Sequence, residues 1–330
     1  MAFETLLGQP TARATLERAL SSGRVHHAYR FEGPPGVGKA TAALLLARAL
    51  VCPNDPLGCG SCSSCKRATT LSPEAPHVPG HPDVLFVGRG IYPESVIGKS
   101  ELTGISVEQV RRIVLARMGY APHEGKALVV IVHDADELTV AAANGLLKTL
   151  EEPPESTHFI LLTSRPGQLL DTIRSRTLSV RFGPLPESAV ATLLAQRGLP
   201  TELAAHARGS MEQARVLTED GAHTALEAFV AAAEQAIVSR ELDAAISFAA
   251  ERPEHRDELL AFLHHLASSW ALRGRAAPSE DGELFATRYA EVERAITEIE
   301  RNGSPALVLE TLITRLRRLP KSHAPALAQQ

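Results

Sequence analysis

The sequence predicts a doubly wound α/β domain followed by helical units. Short apolar, β-branched runs alternate with helical periodicities as far as residue 182, and the glycine-rich stretch GPPGVGK (33–39) stands between one such strand and one such helix. Past GPLP (183–186) no strand pattern recurs, and amphipathic helical patterns take over.

Taken in order, Ala12, Leu16, Ala19 and Leu20 recur at helical spacing, with Gly23 as a stop. HAYRFEG (27–33) reads as a strand running into the glycine-rich loop, and TAALLLARALV (41–51) as the helix that follows. SPEAPHVPGHPD (72–83) is too proline-rich for regular structure. VLFV (84–87) is a strand, and SVEQVRRIVLARM (106–118) predicts an amphipathic helix with Ser106 as N-cap and Gln109 at capping-box spacing. ALVVIV (127–132) and HFILLT (158–163) are continuous apolar runs, as expected of strands covered on both faces. Between them a helix over 139–150 is halted by EEPP, and TLSVRF (177–182) supplies a last strand. The later helices fall at 254–271, 284–301 and 305–318, and PKSHAPALAQQ (320–330) reads as a disordered tail.

With 330 residues, 44% hydrophobic and 22% charged, the composition is that of a globular protein of two or three domains. A net charge of -4 offers no broad electrostatic footprint for nucleic acid, so any DNA contact is expected to be local. The N-terminus lacks a basic and apolar leader pattern, and no apolar run is long enough to span a bilayer. The cytoplasm is therefore the expected compartment, with no membrane partner.

Residues 33–41 nearly match the phosphate-loop pattern G-x-x-x-x-G-K-[ST]. Gly33, Gly36 and Gly38 free the backbone to cradle phosphate, and Lys39 supplies a point charge; Ala40, however, stands where a magnesium-binding hydroxyl belongs. Thr41 is no simple substitute, because one helical position turns a side chain by about 100°. The alternative is a chance glycine-rich turn. Cys52, Cys59, Cys62 and Cys65 have spacing C-x6-C-x2-C-x2-C, which suits a structural tetrahedral Zn2+ site; a redox Cys-x-x-Cys pair or free thiols are the other readings. The strand at 127–132 runs into His133, Asp134, Ala135 and Asp136, without the Asp-Glu pair expected at the strand end for magnesium orientation and water activation. Asp134 and Asp136 are then either loop and cap residues or weak metal-side groups. Arg174 and Arg176 precede the last strand, where arginines are surface groups or, at a domain face, an arginine finger. His26, His27, His77 and His81 match no ligand spacing, and Trp270 reads as core.

The order of motifs resembles the clamp-loader subunits of bacterial DNA polymerase III, within the AAA+ proteins. The resembling residues are LLGQP (6–10), GRVHHAYRFEGPPGVGK (23–39), the four cysteines, HPDV (81–84), LTVAAANGLLKTLEEPP (138–154), LLDTIRSRT (169–177) and NGSPALVLETLITRL (302–316). The resemblance implies a RecA-like P-loop AAA+ domain with a zinc module over 1–182, a helical lid over 183–240, a helical collar over 241–320 and a disordered tail at 321–330. Against the hydrolysing gamma/tau motors, His133 falls at the magnesium-orienting aspartate, Asp134 at the catalytic glutamate, and Glu212 near the lid's sensor arginine. Together with Ala40, these departures resemble the delta-prime branch, whose members help load the sliding clamp on primed DNA without hydrolysing ATP. By that resemblance Arg176, in Ser175-Arg176-Thr177, matches the arginine of the family's Ser-Arg-Cys motif and reaches in trans into a neighbour's ATP site, with Thr177 departing from the cysteine. The implied partners are gamma/tau and delta subunits in a pentameric ring, the clamp, and primed DNA through the complex. The chain would be part of the polymerase holoenzyme without an ATPase activity of its own, ATP or ADP binding being left open. The alternatives are a hydrolysing gamma/tau-type ATPase and, from another class, a zinc-bearing nucleic-acid module, for which 4% aromatic residues and no basic stripe give little support.

Overall fold

The computed structural model describes residues 3–97, 104–218, 222–239, 241, 243–277, 279–300 and 303–319, and the tail expected at 321–330 lies outside them. Two compact units are present, Met1–Ala189 and Val190–Gln330.

In the first unit the elements are α1 (Pro10–Ser21), β1 (Ala28–Glu32), α2 (Lys39–Val51), α3 (Ser63–Thr69), β2 (Val84–Val87), α4 (Glu94–Ile97), α5 (Val107–Gln109), β3 (Leu128–Val132), α6 (Val140–Glu151), β4 (Thr157–Thr163), α7 (Asp171–Arg174) and β5 (Leu178–Arg181). The strands form one sheet in the order β2-β3-β4-β1-β5, every neighbouring pair parallel. Parallel strands need crossover segments that cover both faces, which is why the inner strands read as unbroken apolar runs. Tyr29, Phe31, Val129, Ile131, Ile160 and Leu162 pack against Leu16 of α1 and Ala42 and Leu46 of α2. The alternate residues Ala28, Val130, Val132, Phe159 and Leu161 pack against Leu146 and Leu150 of α6 and against Val110 and Val114.

The helix predicted over 106–118 forms differently. Ser106 does cap it, its Oγ accepting from Gln109 N at 3.2 Å, but after α5 the backbone widens into a π turn at Val110–Val114 and tightens into a 3-10 turn at Leu115–Arg117. Three β-branched residues, Val110, Ile113 and Val114, weaken the regular turn at this point. Gln109 does not complete a capping box; its side-chain amide donates instead to Gly88 O at 2.9 Å.

The helix α8 (Glu187–Gln196) spans the boundary between the units, and the second unit is helical beyond it, with α9 (Met211–Leu217), α10 (Ala222–Val238), α11 (Ala244–Ala250), α12 (Arg256–Ala276), α13 (Ser279–Glu300) and α14 (Pro305–Arg317). Trp270 is fully buried, as the sequence predicts, and its indole N–H donates to Glu234 at 3.4 Å. Phe229 packs against Phe248 and Phe262 with ring centroids 5.0 and 5.2 Å apart. Arg208, at φ 48°, donates to Tyr289 Oη at 2.6 Å and Glu293 Oε1 at 2.8 Å, which ties the segment before α9 to α13.

One long-range anchor in the first unit has a titratable signature. Asp83, fully buried at the start of β2, accepts from His123 N at 2.6 Å and from Glu124 N and Gly125 N at 2.8 Å each. Burial pushes its carboxyl up, but the three N–H donors and the charge of His81 outweigh this and hold it below the usual aspartate range. Because the folded value is depressed, the stabilisation is complete above the unfolded aspartate value of about 3.9 and is lost as pH falls through the folded value. Asp83→Asn is expected to lower unfolding free energy by about 1–3 kcal/mol at neutral pH. Urea titrations of both proteins should show that gap narrowing towards pH 3, and a gap of constant size would contradict the ionised anchor.

Candidate functional site

The glycine-rich loop joins β1 to α2, at the end of the sheet where the strands finish. A Cβ on Gly33 would lie 2.2 Å from the carbonyl oxygen of Phe182, so only glycine lets the loop pass β5. Gly36 and Gly38 have φ of 71° and 99°, and Gly38 caps α2 in the left-handed region. Lys39 is buried, and its Nζ donates to Gly33 O at 2.6 Å, Pro34 O at 2.7 Å and Ser164 Oγ at 3.1 Å. The ammonium must exchange some of these bonds to meet a phosphate. Ala40 packs against the core, and Thr41, the next residue round the helix, is exposed, so neither places a hydroxyl beside Lys39 in the manner of the full motif.

The sequence pattern LLGQP (6–10) assigns Gln9 no individual role, yet its side chain braces this loop. Its buried amide donates to Val37 O at 3.1 Å and to Gly183 O at 2.6 Å, while Gly183 N donates back to its Oε1 at 3.2 Å. A single side chain thus ties the loop to the exit of β5.

Beside the loop, β3 ends in His133 and Asp134. Asp134 has φ 52°, and His133 Nδ1 lies 2.7 Å from its Oδ2. Burial pushes the Asp134 carboxyl up, but the His133 hydrogen bond and the charges of His133, Lys39 and Arg89 hold it below the usual range. An Asp-Glu pair does follow, at Asp136 and Glu137, but it lies in a 3-10 turn beyond the strand. Asp136 is consumed there, accepting from Thr163 Oγ1 at 2.6 Å and Arg165 Nε at 2.8 Å. Glu137 pairs with Arg89 at 3.1 Å, and burial raises its carboxyl above the usual glutamate range. These contacts favour the reading of Asp136 as a structural group.

Arg176 lies elsewhere. It precedes β5, and the β1–β5 register, with Tyr29 opposite Leu178, sets it level with His27. From there to Gly33 the strand rises roughly 20 Å at about 3.3 Å per residue. Arg176 therefore opens onto the other end of the sheet, in a cleft of about 640 Å³ lined by His26, His27, Glu151 and Leu178 among others. Its Nη1 donates to Thr172 O at 2.9 Å and Ser175 Oγ at 3.2 Å, and its Nη2 lies 2.6 Å from Glu151 Oε1. The hydroxyl of Thr177, where the related motif has cysteine, donates to Ile173 O at 2.9 Å and accepts from Arg30 at 2.7 Å. The turn that presents Arg176 is thereby fixed from the buried side. Arg174, by contrast, pairs with Asp171 at 3.4 Å within its own helix.

Cys52, Cys59, Cys62 and Cys65 come together between the end of α2 and the start of α3, with all four Sγ atoms within 4.8 Å of one another. Cys59 Sγ and Cys65 Sγ are 3.8 Å apart, close to the edge of a tetrahedron with metal–sulfur bonds of about 2.3 Å. Backbone N–H groups of Cys59 and Cys65 point at the sulfurs of Cys52 and Cys62, both at 3.4 Å. The N–H groups of Cys62 and Ser61 pull the Cys59 thiol down to about 5, whereas burial pushes Cys65 up. The cluster can hold a thiophilic metal ion, which would add a positive charge where these sulfurs crowd.

The family described as "DNA polymerase III, delta subunit" matches residues 8–186, more than half of the chain. The chain belongs to this family of clamp-loader subunits. Its relatives carry two kinds of name. A gamma/tau subunit of DNA polymerase III from Mycobacterium tuberculosis is 39% identical over 199 residues, covering 59% of this chain and 31% of that protein. The delta' subunit of Bacillus subtilis is 35% identical over 198 residues, covering 59% of this chain and 54% of that protein. The tau subunit of Bacillus subtilis is 30% identical over 318 residues, covering 96% of this chain and 49% of that protein. The chain thus spans from about a third to about half of the length of these relatives.

The sulfur geometry makes a direct expectation. Purified under reducing conditions, the chain should carry one thiophilic metal ion, and the Cys62→Ser, Cys65→Ser double variant should lose it, as read by elemental analysis. Equal metal content in the two proteins would remove the cluster as a metal site.

Proposed function

We propose that this chain is a delta-prime-type clamp-loader subunit that does not hydrolyse ATP itself and donates Arg176 to the ATP site of a neighbouring subunit. The carrying observation is that Arg176 opens at the opposite end of the sheet from loop 33–41, out of reach of any phosphate bound by its own Lys39. A guanidinium so placed, half-exposed and held by two hydrogen bonds and an ion pair, suits stabilisation of developing phosphoryl charge in a partner.

The chain's own loop supports the silent half of this reading. Gly33, Gly36, Gly38 and Lys39 retain the backbone cradle, so ATP or ADP can still be held there, with Ala40 and Thr41 starting the helix behind it. The chemistry that is missing belongs to magnesium and water. Ala40 offers no ligand, His133 and Asp134 replace the metal-orienting and water-polarising carboxylates, and Asp136 is engaged by Thr163 and Arg165. The four cysteines would hold a structural Zn2+, leaving no open position for a reaction. Residues 183–240 would act as the lid and 241–320 as the collar that joins gamma/tau and delta partners into a pentameric ring. That ring opens the sliding clamp and places it on primed DNA in the cytoplasm.

A gamma/tau-type ATPase is the second reading, favoured by the 39% identity to the mycobacterial gamma/tau protein and by the 96% coverage of this chain by Bacillus subtilis tau. Hydrolysis separates the two. The purified chain alone is expected to show no ATP turnover above background. Assembled with gamma/tau and delta partners, the complex should turn over ATP, and Arg176→Ala should slow it by about two- to tenfold overall, the loss of a finger being worth roughly 10³ or more at the single site it serves. Turnover by the chain alone, abolished by Lys39→Ala, would establish the motor reading instead.

A further inference from the structure

Arg176 is not a loose surface arginine, and what holds it has a consequence for the reaction. A guanidinium carries five N–H donors. Two are engaged in hydrogen bonds, both from Nη1, to Thr172 O and Ser175 Oγ, while Nη2 forms an ion pair with Glu151, 2.6 Å from its Oε1. The donors on Nε and Nη2 make no hydrogen bond among the described residues, and the group opens into the cleft of about 640 Å³. Two of the three restraints come from Arg176's own turn, α7 and Ser175. Glu151 alone brings in a second element.

Glu151 is the last residue of α6, and its place is itself fixed. The carbonyl of Leu150 accepts from His27 Nε2 at 3.2 Å, which pins the end of α6 to the start of β1. Leu146 and Leu150 anchor the same helix in the core. The carboxylate is thus held on a rigid element while its partner arginine sits on a turn, an arrangement that sets where the free donors point.

We infer that Glu151 is a positioning residue for Arg176, its charge holding the guanidinium so that the donors left on Nε and Nη2 meet a phosphoryl oxygen of nucleotide bound by the neighbouring subunit. The inference rests on the trans role proposed above for Arg176. Glu151 touches neither nucleotide nor water in this arrangement. It fixes one side of the guanidinium, and the reaction uses the other.

The test is steady-state ATP hydrolysis by the full complex assembled with wild-type, Glu151→Ala, Glu151→Gln, Glu151→Asp, Arg176→Ala and doubly substituted chains. Glu151→Ala is expected to lower kcat by most of the loss seen for Arg176→Ala, with KM unchanged. Glu151→Gln, which keeps the side-chain length but removes the charge of the ion pair, should recover only part of that loss, and Glu151→Asp, which keeps the charge, more of it. The double variant Glu151→Ala, Arg176→Ala should be no slower than Arg176→Ala alone, since both changes act through one group. If Arg176→Ala slows the complex while Glu151→Ala matches wild type, or if Glu151→Ala adds its own loss on top of Arg176→Ala, the positioning role is overturned. If Arg176→Ala itself has no effect, it is the trans reading that fails, and the two failures are told apart by that variant.

Discussion

Every strand of the sheet runs in the same direction, and that constraint decides which residues can meet. Segments that follow strands gather at one end, and segments that precede them gather at the other. Gly33 follows β1, His133 follows β3 and Thr163 ends β4, so the glycine-rich loop, the His133–Asp134 turn and the strand-end hydroxyls share one end. His27 precedes β1 and Arg176 precedes β5, so the arginine and its cleft share the other. A chain built this way separates the glycine-rich loop from Arg176 by the length of the sheet, and the proposed trans role rests on that separation.

The two ends have fared differently. At the first, the bonds that shape the backbone persist: Gln9 still ties the loop to β5, and Gly33 still permits the close approach to Phe182. On the proposed reading, Ala40, His133 and Asp134 stand where a hydrolysing subunit would carry the groups for metal and water. At the second end the arrangement is complete, since Thr177 and Arg30 brace the turn from inside while Glu151 and Ser175 hold the guanidinium from outside.

Much of the fold was legible in the sequence because local rules sufficed. β3 and β4 show as unbroken apolar runs, since both their faces are covered, and Ser106 and the glycines of the loop follow from the backbone conformations they favour. The four cysteines lie within fourteen residues, so their approach was readable from spacing alone. The helix over 106–118 was not readable in detail: its periodicity was right, and the crowding of three β-branched residues alters the turn without altering the pattern. Nor were the long-range anchors visible. Gln9 meets Gly183 across 174 positions, Asp83 meets the 123–125 backbone 40 or more positions on, and Glu151 meets Arg176 only once α6 and β5 are placed. No periodicity records such pairs, because each depends on the order of strands in the sheet.

The most direct measurement is the position of Arg176 in the assembled ring, determined by cryo-electron microscopy with a transition-state mimic of ATP in the partner sites. The account requires its guanidinium within hydrogen-bonding distance, about 3 Å, of the phosphoryl group bound by the adjacent subunit. An empty partner interface at that arginine, or a nucleotide with magnesium and a positioned water seated instead at Lys39 of this chain, would contradict it.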